Sequence, residues 1–177
     1  MKFDFKKLFK KRRRTDYLIF GLIIAFGIFL DQLTKWLALE YLRPVIDVPI
    51  WNGVLHLHFH QNPGAAFGSF ADHPYIFNTL SVIIIIAMSF YLFAGHTTGM
   101  LQSIAAAMII SGGIGNMIDR ILFGKVTDFI YFKLIDFAIF NGADSFVCVG
   151  AGLLALSLVL DIVKEEKEKK ENDNSCG

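Results

Sequence analysis

Asp119, Asp128, Asp136 and Asp144 fall in one short stretch of the chain. Two carboxylates brought close together can hydrolyse a peptide without a metal or a protein nucleophile. Both cannot ionise readily, so one keeps its proton while the other activates water. Spacing alone does not choose two of these four, and each also reads as a solvated charge at the membrane rim.

A second set of polar residues sits where charge is costly. In "FLDQLTKWL", Asp31 and Lys35 interrupt an apolar run that begins at Tyr17. At i,i+4 they share a helix face, as a structural ion pair or as the brace of a polar pocket, with Lys35 reaching out to the membrane interface. Asn116 and Arg120 repeat the i,i+4 spacing further on. A guanidinium there can hold a carbonyl or a lipid headgroup through its planar fork of donors.

Other chemistries are less well served. Val54–His60 alternates, with Leu55, Leu57 and Phe59 on one strand face and His56, His58 and His60 on the other. Imidazoles on one face could ligate zinc, but three from one strand rarely converge, and there is no H-E-x-x-H pair. Ser69, Ser81, Ser103, Ser111 and Ser145 have no Lys or His at a recognised spacing. A transport pathway would call for polar groups near the midplane, whereas the inner halves of the spans read as apolar.

These groups need elements to position them. Of the 177 residues, 54% are apolar, too many for a soluble domain of this size to hide. A hydrocarbon core of about 30 Å takes about 20 helical residues. Four stretches reach that length: 17–39, 75–94, 100–120 and 144–163. The fold class expected is therefore an all-α polytopic membrane protein of four transmembrane helices, with a small extracytoplasmic β-sheet segment between helices 1 and 2. A basic head (1–16), one four-span domain (17–163) and a mixed-charge tail (164–177) make up the chain. Segments 40–74 and 121–143 lie outside the cytosol.

Lys and Arg crowd the head, which keeps both termini in the cytosol. Beside a span, this basic run is not expected to bind nucleic acid. The first apolar run is too long for a signal-peptide core and has no small-x-small cleavage site after it, so it reads as a permanent span. Cys148 and Cys176 fall at different levels, and no disulfide is expected. Asp161, at the cytosolic end of the last span, reads as a solvated charge. Counting along the helices puts Asp31 about 7–8 Å and Asn116 about 6 Å inside the outer boundary. Every intramembrane polar group thus gathers toward one leaflet, as in a site.

In order, "DQLTK", "NPGAAFG", "GGIGNMIDR", "VTDF" and "FNGADS" resemble the motifs of the lipoprotein signal peptidases, or signal peptidase II. The likeness runs from Asp31 to Ser145. It implies an aspartic endopeptidase of the bacterial cytoplasmic (inner) membrane. That enzyme removes signal peptides from prolipoproteins whose lipobox cysteine carries diacylglycerol, cutting before that cysteine. The resemblance makes Asp128 and Asp144 the catalytic pair and leaves Asp119 and Asp136 without a catalytic role. It implies that Asp31, Asn62, Asn116, Arg120 and Asn141 brace the site and bind substrate, and Lys35 and Gly64 belong to the same motifs. No cofactor or metal is implied; the partners are prolipoproteins and membrane phospholipid, and the enzyme is expected to be a monomer. The histidine-rich strand and Gly142 depart from the family pattern and bear on substrate preference.

Overall fold

The computed structural model describes residues 13–63 and 74–175. The head up to Arg12, Gly64 and Cys176 lie outside the described residues. Helix α1 (Arg14–Leu37) runs straight into a five-residue π-turn, Ala38–Leu42. Strands β1 (Asp47–Trp51) and β2 (Leu55–Asn62) follow, then α2 (Pro74–Phe93), α3 (Met100–Phe123), β3 (Val126–Phe132), a short 3-10 turn at Lys133–Ile135 and α4 (Gly142–Ser175). Among the described residues, three helical stretches are long and apolar enough to cross a membrane: Arg14–Leu42, Met100–Phe123 and Gly142–Glu171. In α2, Asn78–Phe93 forms a shorter apolar stretch.

Helix α3 is the axis of the bundle, packed against α1, α2 and α4. Its composition is the cause: Ala105, Ala106, Ala107, Gly112 and Gly115 leave no bulk on the surfaces that meet its neighbours. A Cβ on Gly112 would collide with the backbone oxygen of Ala143 on α4, and one on Gly115 with the carboxylate of Asp31 on α1. The apolar centre of the bundle gathers Phe20, Leu92, Ala106, Ala107 and Ile110. Gly124 stops α3: it takes a left-handed conformation (φ 71°) and its N–H returns to Arg120 O at 3.1 Å.

The end of α1 is less regular. Arg43 N–H reaches back to Ala38 O at 2.9 Å, closing the wider turn, and Ile46 N–H bonds Leu42 O at 2.8 Å. Pro44 cannot donate a bond to continue the helix. Ile46 then adopts φ 66°, a costly conformation for a β-branched residue, on the order of 1–3 kcal/mol. It is held there at both ends, since its carbonyl accepts Phe59 N–H at 2.7 Å.

The sheet departs from expectation. It has three antiparallel strands in the order β1-β2-β3, and the third comes from the segment after α3 rather than from between helices 1 and 2. Residues 121–143 therefore contribute a strand to the platform beside the bundle. The alternation read over Val54–His60 also breaks. Leu57 pairs with Ile130 but His60 pairs with Asp128, so β2 carries one extra residue as a bulge. The bulge flips the alternation, and His60 no longer shares a face with His56 and His58.

At the opposite end of the bundle the helices are not apolar, contrary to expectation. Buried Gln102 accepts Tyr91 O–H and Thr98 N–H and donates to Asp161 at 2.8 Å. Asp161 also accepts Thr98 O–H at 2.6 Å, so it is a bonded joint between α3 and α4 and not a free solvated charge. The short turn from α2 to α3 explains this: it delivers polar backbone and threonines into the packed end, where they need partners.

Candidate active site

Asn141 and Asp144 open α4 with a reciprocal cap. Asn141 Oδ1 accepts Asp144 N–H at 3.0 Å, and Asp144 Oδ2 accepts Asn141 N–H at 3.1 Å. This local rule fixes where the Asp144 carboxylate points. Its other oxygen, Oδ1, accepts the Asn116 amide from α3 at 2.7 Å. The position also places negative charge at a helix N-terminus, where the macrodipole favours it.

Asp128 approaches from β3. Its Oδ1 accepts the Asn141 side-chain amide at 2.6 Å and its Oδ2 accepts that of Asn62 at 3.1 Å. A single residue, Asn141, thus holds both carboxylates, and it is fully buried. Asp128 is itself only 2% exposed. Burial and the neighbouring negative charge of Asp144 push its pKa up to about 7, against the hydrogen bonds from Asn62 and Asn141.

Behind the two acids lies a buried ionic brace. Lys35 Nζ sits 2.8 Å from Asp31 Oδ2, 3.3 Å from Asp119 Oδ2 and 2.9 Å from Asn116 Oδ1. Lys35 is 2% exposed, so it turns into the bundle and does not reach out to the interface as expected. Asp31 and Lys35 form the i,i+4 ion pair that was one of the two expectations. By occupying Asn116 Oδ1, Lys35 leaves the Asn116 amide to face Asp144. Asp31 Oδ1 takes Ala143 N–H at 2.8 Å, fastening α1 to the first turn of α4.

Gln32 and Asp119 complete this brace, though the sequence reading assigned neither a place in it. Gln32 donates to Asp31, Gly115 O and Asp119, and Asp119 accepts Thr127 N–H at 3.0 Å, tying β3 to α3. Gln32 stands three residues before Lys35 on the same helix face, and that spacing was the available signal. Asp136 lies apart, accepting Tyr131 O–H at 2.6 Å on the exposed side of the sheet.

Arg120 lines a groove of about 210 Å³ with Ser81, Gly113, Asn116, Asp144 and Cys148. Its charge lies within electrostatic reach of Asp144, Asp128 and Asp119. Among the described residues its Nε is buried without a hydrogen-bond partner. An unmatched donor beside two carboxylates is suited to an incoming carbonyl. His56 and His58 do not converge on a metal position with His60; both turn Nδ1 toward Asp47, at 2.9 and 3.2 Å.

A helical membrane protein with two bridged acids beside an open groove has the parts of an intramembrane hydrolase. The comparisons name the family. The profile described as Signal peptidase (SPase) II matches residues 23–160, and the chain belongs to that family of peptidases. It is 39% identical over 155 residues to the lipoprotein signal peptidase of Halalkalibacterium halodurans, covering 86% of this chain and 97% of that protein. The Bacillus subtilis lipoprotein signal peptidase is 37% identical over 156 residues, covering 86% and 98%. A solved bacterial membrane enzyme superimposes with a TM-score of 0.74 at 30% identity, over 81% of this chain and 89% of that one.

Proposed function

We propose that this protein removes signal peptides from prolipoproteins carrying a diacylglyceryl cysteine, cutting before that cysteine with water activated between Asp128 and Asp144. The observation that carries this reading is the bridge through Asn141. It holds two acids from different elements in one buried site, with Asp128 pushed up to about 7. On this reading the proton of the pair resides on Asp128 below about pH 7, and Asp144 acts as the base. Asp144 takes a proton from water as the oxygen attacks the scissile carbonyl, and Asp128 donates to the carbonyl oxygen. Collapse of the tetrahedral species then delivers a proton to the leaving amine. Arg120 and Asn116 hold the substrate backbone in the groove beside α4, and Asn62 steadies Asp128.

The 20-residue length of α2 supports counting it as a fourth crossing, about 30 Å long. Four crossings and a basic head leave both termini in the cytosol and the site at the outer leaflet of a bacterial cytoplasmic membrane.

The test is a gel-shift assay on a diacylated prolipoprotein in membranes containing wild type, Asp128→Asn or Asp144→Asn. Each variant is expected to be folded and to leave the precursor uncut. Wild-type turnover by either would remove that residue from the mechanism.

A further inference from the structure

The extra residue in β2 has a consequence for the active site. Between the Leu57–Ile130 and His60–Asp128 pairs, β2 advances three residues while β3 advances two. Residues directly opposite in an antiparallel pair present their side chains to one face, with Cβ atoms about 4.5–5.5 Å apart. His60 therefore stands on the same sheet face as Asp128. Asn62, two residues further along β2, is on that face as well, and its amide reaches Asp128 Oδ2 at 3.1 Å. Without the bulge, His60 would lie with His56 and His58, which are both committed to Asp47.

His60 is exposed, and among the described residues its imidazole has no hydrogen-bond partner. It shares the sheet face of Asp128 and is not among the residues lining the groove of Arg120 and Asp144. Given the function proposed above, on which this inference rests, the signal peptide occupies the groove in the membrane. The residues after the cut must then leave past the sheet. A neutral imidazole offers one donor and one acceptor, and its cation offers two donors. The cation donates to a carboxylate and repels an ammonium group, whereas the neutral ring can pair with either.

We infer that His60 is a specificity-determining residue that contacts the prolipoprotein segment just after the lipidated cysteine and favours an acidic side chain there over a basic one.

The experiment uses the full-length enzyme in detergent micelles with three diacylated prolipoprotein peptides, differing only in Asp, Ser or Lys directly after the cysteine. At about pH 5.5, where an ordinary imidazole is cationic, wild type is expected to prefer Asp to Lys by about tenfold in kcat/KM. In His60→Ala that ratio falls to about one, and the loss on the Asp peptide is carried by KM. His60→Gln, which keeps a donor and cannot become a cation, gives an intermediate ratio. His58→Gln, on the other face of the same strand, keeps the wild-type ratio. An unchanged ratio in His60→Ala overturns the inference. So does a wild-type ratio near one, a loss carried by kcat equally on all three peptides, or a collapsed ratio in His58→Gln. If wild type cuts none of the peptides, the proposed function fails instead, which is a separate outcome.

Discussion

Asn141 donates its side-chain amide to Asp128 Oδ1 at 2.6 Å from the position that caps the helix carrying Asp144. One residue therefore does two separable jobs. Asn141→Ala is expected to lower kcat/KM by about 100-fold, since hydrogen bonds to charged groups contribute about 1.5–3 kcal/mol each. It should also cost about 1 kcal/mol of stability through the lost cap. Asn141→Ser restores the cap without reaching Asp128. Thermal unfolding should recover in that variant while cleavage does not.

The pH profile follows from Asp128. Its carboxyl lies at about 7 in the folded protein, above the ordinary 3.8. The folded state thus binds the extra proton, and stability falls as pH rises from about 4 through 7. The proposed mechanism needs that proton, so kcat/KM is expected to fall as pH rises through about 7. Asn62 favours the ionised form through its hydrogen bond. Asn62→Ala should therefore move the alkaline limb to higher pH, as read from kcat/KM between pH 5 and 9.

Lys35 compensates Asp31 and Asp119 in a place without solvent. Lys35→Met strands both carboxylates and should cost about 3–5 kcal/mol. Adding Asp31→Asn relieves part of that cost, so the double variant should be more stable than the sum of the singles predicts. Unfolding in detergent micelles measures the cycle.

Two glycines close together in space should respond in opposite ways. A Cβ on Gly115 would lie 2.5 Å from Asp31 Oδ2, so Gly115→Ala must push the brace aside and is expected to lower both stability and activity. A Cβ on Gly142 would meet its nearest neighbours, Asp31 Oδ1 and Thr34 Oγ1, at 3.6 Å, ordinary contact distance. Gly142→Ala, in the first turn of α4, should raise stability by about 0.5–1 kcal/mol. Parallel melting curves check both.

Helices α1, α3 and α4 were legible in the sequence because membrane crossing demands a length and a polarity that composition displays. Candidate site residues stood out where a charged or polar group interrupted such a run, as Asp31, Lys35 and Asn116 do. Choosing Asp128 and Asp144 from four acids took a family resemblance, because strand β3 and the cap at Asn141 join them through space. The bulge in β2 was hidden for a related reason. His56, His58 and His60 alternate perfectly in sequence, and only pairing with β3 shows that one residue is extra. Gln102 was passed over and Asp161 misread as a solvated charge, because neither reveals its partner until α3 and α4 pack together.

The Asn141 bridge also bears on how the protein is made. Asp128 lies on a strand that precedes α4, so it leaves the ribosome before its partner acid does. Until α4 enters the membrane with its cap formed, Asp128 has neither the Asn141 amide nor the Asp144 charge beside it. Under the proposed mechanism, a nascent chain with α1, α2, α3 and the sheet strands in place but without α4 is inert toward peptide bonds, its own included. On that mechanism proteolytic competence arrives with the last helix, in one step, and its onset is timed by membrane insertion.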